Sequence, residues 1–360
     1  AHKIIVDACK LWNASTAHLG LFMTLPRSFV ILPAGCAGAQ LLDFLCLRFA
    51  HVARSEWRLR FDEGLVQGEN GQPLLPDALC QPQQRVYYSR RVAAEAPIPV
   101  QEQVLFEDEA IVIADKPHFL PVVPSGRYVR ETLLHRLREK LACPTLSPAH
   151  RIDRDTAGLV LFTKRPEQRS AYQNLFRDRL VAKTYLALAA PLDVMRPGIE
   201  AHISVFQGLC AAERSQLLHG QGVEMHSRLE RSAQHFMQMA CQPAAAGQAN
   251  AKTLIKIVAA QADLTPENAK NMAKNPVCYE LRPSTGQRHQ LRAQMSALGV
   301  PIWGDGIYPI VTPECAAPHE LPPLQLLAQR LAFTDPLTGQ MRKFCSQLPL
   351  LPLGAAAAAV

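Results

Sequence analysis

The chain has 360 residues, 48% of them hydrophobic and 19% charged, with mean hydropathy near zero, so it can bury a full core and hold more than one domain. A net charge of +7 and a sequence pI of about 8.9 suit a polyanionic partner and leave an enzyme of small molecules open. The ten cysteines stand singly, with no C-x-x-C pair and no metal-ligand spacing, which excludes a disulfide or zinc framework and fits free buried thiols in a cytoplasmic protein.

In chain order, residues 1–37 read as an N-terminal extension, of which 1–22 precede the first well-patterned segment. The apolar stretch Leu19–Ala50 is broken by Pro26, Arg27, Pro33 and Asp43 and fails as a membrane span, and no secretory signal is visible. Residues 38–92 form a small module: a buried helix from Leu41 to Phe49, a second near Trp57–Leu59, then Asn70-Gly71 and the strand-like Arg85–Tyr88. Pro97 and Pro99 mark a linker over 93–103.

A larger domain spans 104–350. Its expected elements are a strand at Ile111–Ile113 ended in water by Lys116-Pro117, a helix over Arg130–Leu141, and a central strand at Leu159–Phe162 entered by a turn at Gly158. Pro166 opens a helix through Leu175 and Phe176, and Lys183–Leu188, Thr253–Val258 and Val277–Leu281 read as strands. The polar stretch 208–252 reads as an insertion, and the alanine-rich 351–360 as a disordered tail.

Two charged stretches carry chemistry. In AHRIDRDTAGLVLFTK, residues 149–164, Arg151, Asp153, Arg154 and Asp155 stand at the mouth of the apolar strand. In RPSTGQRHQLRAQMSALGVPIWGD, residues 282–305, Ser284-x-x-Gln287 has the form of a capping box and Gly299-x-Pro301 of a stop. The expectation is a helix of about three turns with Leu291, Met295 and Leu298 buried and Arg288 and Arg292 sharing the other face. Two stacked guanidinium groups need an anion, either a phosphate or a carboxylate of the first stretch. Paired with Arg292, Asp153 would stay ionised in a partly buried place and could serve as nucleophile or base. A purely structural ion pair between loop and helix is the plainer alternative.

These stretches resemble the RluA-type family of RNA pseudouridine synthases. AHRIDRDTAGLVLFTK is similar to its H-R-L-D-x-x-T-S-G-L segment, and the arginine-rich stretch to its P-x-T-G-R-x-H-Q-I-R segment with a G-x-P-I-x-G-D tail. VIADKPHFLPVVPS and AKTYLAL resemble the family's K-P-x-G and K-x-Y segments, and LLAQRLAFTDPLTG its closing strand. The likeness covers roughly residues 100–350.

The resemblance implies an α+β pseudouridine synthase fold: a mixed, mostly antiparallel sheet with flanking helices and a central cleft. It implies isomerisation of uridine in ribosomal or transfer RNA with no metal and no cofactor, by a chain expected to act as a monomer away from membranes. Carried over residue by residue, Asp153 is the catalytic aspartate and Arg292 its ion-pair partner. Tyr185 stacks on the target uracil, and Arg151 helps fill the space an extruded nucleotide leaves. The sequence departs from the family pattern at Gln287, Arg288 and Gln294, which leaves Arg292 intact and puts phosphate contacts in doubt. The N-terminal module resembles, weakly, an S4-like RNA-binding module, in which Arg54, Arg58 and Arg60 would meet phosphates.

Two rivals remain on the sequence alone. Ile152–Thr156 is also similar to the D-x-D-x-T of a phosphatase loop, with Asp305 as a later acid, but there the apolar strand should precede the motif, and here it follows. A non-catalytic RNA-binding descendant of a synthase would not require Asp153, Tyr185 and Arg292 together.

Overall fold

A computed structural model of the protein describes residues 27–50, 52–89, 95, 97–125, 128–191, 211–218, 220–233, 235–245, 247–260, 277–312 and 322–350. The expected stretch 1–22 and the tail 351–360 lie outside the described residues. The chain divides into two compact units, one from 1–96 with 124–131, the other from 97–123 with 132–360. Among the described residues no helix is long and apolar enough to cross a membrane.

The small unit is built from β1 (Arg27–Ile31), α1 (Leu41–Arg48), α2 (Arg54–Asp62), β2 (Val66–Gln67) and β3 (Arg85–Ser89). Its sheet runs β1-β3-β2, with β1 antiparallel to β3. Arg27–Ile31 therefore belongs to this unit and not to the extension assigned to 1–37, because its backbone groups pair with those of Arg85–Ser89. Leu41, Leu45, Trp57, Phe61, Val66 and Val86 close the core. Arg60 is 8% exposed, bonds Glu56 at 3.1 Å and lies over the Trp57 ring at 4.7 Å, so it is not available to phosphates as expected. Arg54 pairs with Asp43 at 2.6 Å, and Arg58 is exposed.

The larger unit holds the expected α+β arrangement around one mixed, mostly antiparallel sheet. Its strands are β4 (Gln103–Glu107), β5 (Ile111–Lys116), β6 (Ser147–Pro148), β7 (Ala157–Thr163), β8 (Ala182–Ala189), β9 (Val223–Arg231), β10 (Met239–Pro243), β11 (Ala251–Ala260), β12 (Val277–Pro283), β13 (Leu326–Thr334) and β14 (Met341–Cys345). The order is β10-β9-β11-β12-β8-β13-β7-β5-β4, with β14 on β13 and β6 on β7. The helices are α3 (Leu133–Lys140), α4 (Arg169–Arg177), α5 (Ala211–Leu218) and α6 (Gln290–Ala297). Thr132 caps α3 through its side chain, so that helix starts later than Arg130. The expected insertion 208–252 instead extends the sheet, since β9 pairs with β11.

All seven residues of β7 and all six of β5 are buried, as their unbroken apolar runs require of strands covered on both faces. Each fully buried leucine or phenylalanine here contributes about 2 kcal/mol. Lys116 ends β5 inside the protein, not in water: it is fully buried, and its Nζ donates to the carbonyls of Pro117, Leu120 and Arg154, each at 2.8 Å. Of the seven described cysteines all are free, and Cys36 and Cys80 alone among them are buried, so the expectation of buried thiols holds only in part.

Gly158 is not a turn residue but part of β7, at φ +110°. There β7 and β13 run parallel, with Gly158 opposite Ala328. A β-carbon at 158 would strike the Ala328 carbonyl and come within 2.7 Å of its nitrogen. Gly158→Ala is expected to cost about 2 kcal/mol or more of stability, read as a lower midpoint of urea unfolding; an unchanged midpoint would mean that the two strands can part freely.

Candidate active site

The stretch before β7 is fixed by side chains that face inward. His150 Nε2 accepts the Leu161 N–H at 3.1 Å, and the ring stacks on Phe176 with centroids 4.2 Å apart. Burial, and then the nearby Lys183 charge, push the His150 pKa down to about 3, which keeps this nitrogen an acceptor. Lys116 holds the Arg154 carbonyl, and the Asp153 carbonyl accepts the Thr156 N–H at 3.2 Å. Burial lowers Lys116 to about 7, against the opposing pull of Asp155 and Asp153. Asp153 thus sits on a backbone gripped from both sides, with its own side chain 30% exposed.

The second stretch folds differently from its pattern. Ser284-x-x-Gln287 does not cap the helix; α6 begins at Gln290, has eight residues, and follows His289 in a left-handed conformation. Gln290 instead turns back, and its Oε1 accepts from the Gln287 N–H and the Thr285 hydroxyl. The short helix buries Leu291 and Met295 as expected, while Leu298 is half-buried. Arg288 lies before the helix, is exposed, and donates to the Met237 carbonyl, so it does not stack on Arg292. Gln287 donates to the Asn250 carbonyl. Gln294 is fully buried between the Thr253 and Ser227 hydroxyls, so these departures from the motif tie α6 to β9 and β11.

Arg292 is the centre of the constellation. Its side chain is 2% exposed, and its Nη1 lies 3.4 Å from Asp153 Oδ2, the pairing the motifs suggested. Its closer contacts go elsewhere: Nε and Nη2 form a two-pronged bond to Asp305 at 2.8 and 2.7 Å. Asp305 is 1% exposed at the side chain and also accepts the Ile307 and Tyr308 N–H groups. Burial works to lower the Arg292 pKa, but the bond to Asp305 and the charges of Asp305, Asp153 and Asp155 raise it above its ordinary value. The next residue back, Gly304 at φ +72°, sets this loop, because a β-carbon there would overlap the Pro323 carbonyl.

The remaining site residues are spread around this ion cluster. Tyr185 lies on β8, paired across the backbone with Leu281 and Ala328, and packs on the cluster of Ala187, Leu281, Leu291 and Met295. Its hydroxyl pKa is raised by burial and further by the Asp153 charge. Lys183, two residues earlier, donates to the Thr285 carbonyl at 2.9 Å and joins β8 to the α6 stretch. Arg151 is exposed. Asp155 pairs with Arg154 at 2.9 Å; burial acts to raise its pKa, but Arg154, Arg292 and Lys116 lower it. His289 and Tyr308 complete the surroundings, with His289 Nε2 4.0 Å from Asp153 Oδ1. Sequence reasoning missed the structural weight of Asp305, His150, Lys116 and Tyr308. Asp305 had a visible signal, as the last letter of GVPIWGD. Among the described residues no group of three or more His, Cys, Asp and Glu side chains could hold a metal.

The sequence model of a family described as RNA pseudouridylate synthase matches residues 110–297, which carry Asp153, Tyr185 and Arg292. The chain belongs to the RluA-type RNA pseudouridine synthases. It is thereby an RNA-modifying isomerase. It is 26% identical over 268 residues to an uncharacterized RNA pseudouridine synthase of Synechocystis, covering 74% of this chain and 79% of that one. Ribosomal large subunit pseudouridine synthase D of Neisseria meningitidis is 27% identical over 340 residues, covering 90% and 79%. The dual-specificity RNA pseudouridine synthase of Vibrio cholerae is 27% identical over 241 residues, covering 66% and 80%.

Removing Asp305 should strand a buried guanidinium. Asp305→Ala is expected to lose about 3–5 kcal/mol of stability in denaturant unfolding, and the double variant Arg292→Met, Asp305→Leu to recover much of it. Losses that simply add in the double variant would show that the two side chains do not act as a pair.

Proposed function

We propose that this synthase converts particular uridines of ribosomal or transfer RNA to pseudouridine with Asp153 as its essential catalytic group and without a metal or cofactor. The ion cluster carries this reading: Asp153 is the part of it left 30% exposed, while Arg292 and Asp305 behind it are closed off. A half-exposed carboxylate held against a buried guanidinium is oriented before substrate arrives. The names of two similar proteins, one acting on the ribosomal large subunit and one of dual specificity, support the choice of substrate class.

The reaction balances with protein side chains alone. The C1′–N1 bond of the uridine breaks and the freed uracil turns within the site. A C1′–C5 bond then forms, C5 gives up its hydrogen, and N1 takes a proton. Asp153 assists at the sugar, either on C1′ or by taking the C2′ proton. Tyr185, on β8 and within the field of Asp153, would stack on the uracil and share in proton transfer. Arg151, exposed ahead of Asp153, would help fill the space an everted nucleotide vacates. Arg54 and Arg58 of the small unit would add salt-sensitive contacts to phosphates. We assign the enzyme to the cytoplasm, acting as a monomer.

Loss of the C5 hydrogen gives a direct assay. Bulk ribosomal and transfer RNA labelled with tritium at C5 of uridine should release label to water with the full chain and not with Asp153→Ala, while both bind RNA alike. Release that persists in the variant would remove Asp153 from its assigned role. Binding without release by the unaltered chain would favour the non-catalytic reading.

A further inference from the structure

A second set of buried polar groups reaches Asp153 besides its backbone anchors. His289, just ahead of α6, has φ 53° and ψ 22°, a left-handed conformation that a β-carbon disfavours. This geometry turns its side chain, 8% exposed, between two partners. Nδ1 lies 3.3 Å from the Tyr308 hydroxyl, with the rings edge to face and centroids 5.8 Å apart. Nε2 faces Asp153 Oδ1 at 4.0 Å. Tyr308, 6% exposed, in turn accepts the Met239 N–H of β10 at 2.7 Å.

One direction of this chain gives every polar hydrogen in it an acceptor. A phenolic hydroxyl has one hydrogen to give. The Met239 N–H occupies a lone pair of the Tyr308 oxygen, so the hydroxyl hydrogen is free to point at His289 Nδ1. A neutral imidazole that accepts at Nδ1 carries its own hydrogen on Nε2, the nitrogen that faces Asp153. We infer that Tyr308 fixes His289 in the Nε2–H tautomer, and that His289 is thereby a positioning residue that turns a second donor, besides Arg292 Nη1, onto the Asp153 carboxylate. The inference rests on the proposed role of Asp153.

The surrounding charges agree with a neutral ring. Burial lowers the His289 pKa most, Arg292 and Arg288 lower it further, and Asp153 and Asp305 pull the other way, for a net lowering. The 4.0 Å gap is wider than a hydrogen bond, and contacts at catalytic groups are often long until substrate is bound. Because the chain begins in β10, the β9–β10 hairpin is linked through Tyr308 to the orientation of the aspartate. Gln238 of the same hairpin donates to the Ile307 and Pro309 carbonyls on either side of Tyr308, which holds that link in register.

Long-range proton–nitrogen correlation spectra of the full chain with 15N-labelled histidine, in the absence of RNA, report the tautomer directly. The His289 signals, identified by their loss in His289→Gln, should show the Nε2–H form, and Tyr308→Phe should shift them toward a tautomer mixture. An Nδ1–H form, or a ring protonated at neutral pH, would overturn the inference whatever the activity. In the tritium assay, His289→Leu should lower kcat on the order of 10–100-fold with little change in KM for RNA. His289→Gln, whose amide can donate from the place of Nε2, should restore most of that loss. Equal kcat in the two variants would contradict the positioning role, whereas absence of turnover in the unaltered chain would count against the proposed function and leave the tautomer result standing.

Discussion

A charged guanidinium sealed inside the protein governs the arrangement of everything around it. Arg292 can be buried only because Asp305 meets it with both oxygens and Asp153 with one. The two-pronged bond to Asp305 fixes the plane of the guanidinium, and that plane determines where Nη1 points. Asp153 therefore does not choose its partner freely: it meets a donor already oriented by a different carboxylate. Buried ion clusters of this kind add little net stability, and their value is in specifying one geometry.

That geometry draws three distant pieces of chain to one place, and each piece is also held by contacts other than the ion pairs. The Asp153 turn is pinned to β7 by His150 and to the end of β5 by Lys116. Gly158 lets β7 come close to β13, and Gly304 lets the Asp305 loop come close to Pro323. α6 is fastened to β9 and β11 by Gln294 and Gln290. Much of the polarity that looked in sequence like substrate-binding capacity is used in these internal bonds. Among the groups that stay open to solvent at the motifs are the edge of Asp153 and the side chains of Arg151 and Arg288.

The strands were legible in sequence because burial on both faces leaves an unbroken apolar run, as in Ile111–Ile113 and Leu159–Phe162. The meeting of Asp153 with Arg292 was legible too, through motif resemblance and the need of an arginine for an anion. Other parts were not, for reasons of physics rather than of pattern. The capping box at Ser284 lost to a tertiary bond network in which Gln290 serves as the acceptor, and helix periodicity was therefore extended too far back and placed Arg288 on the wrong face. Lys116 looked like a residue that stops a strand in water because sequence does not reveal three carbonyls converging on one ammonium. β9 was hidden because its polar residues alternate with buried ones, and β10 because a five-residue strand at the end of the sheet leaves little pattern. β1 escaped notice because pairing between segments far apart in sequence leaves no local mark.

The Arg292→Lys variant puts the central claim to its most direct test, since lysine keeps the positive charge but cannot bond Asp305 with two prongs and reach Asp153 at once. Measured as tritium release from C5-labelled uridine in RNA, with folding checked by circular dichroism, the variant should remain folded and lose on the order of 100-fold or more in kcat. A folded variant that turns over at the rate of the unaltered chain would show that charge alone suffices and that the orientation imposed through Asp305 is not what prepares Asp153.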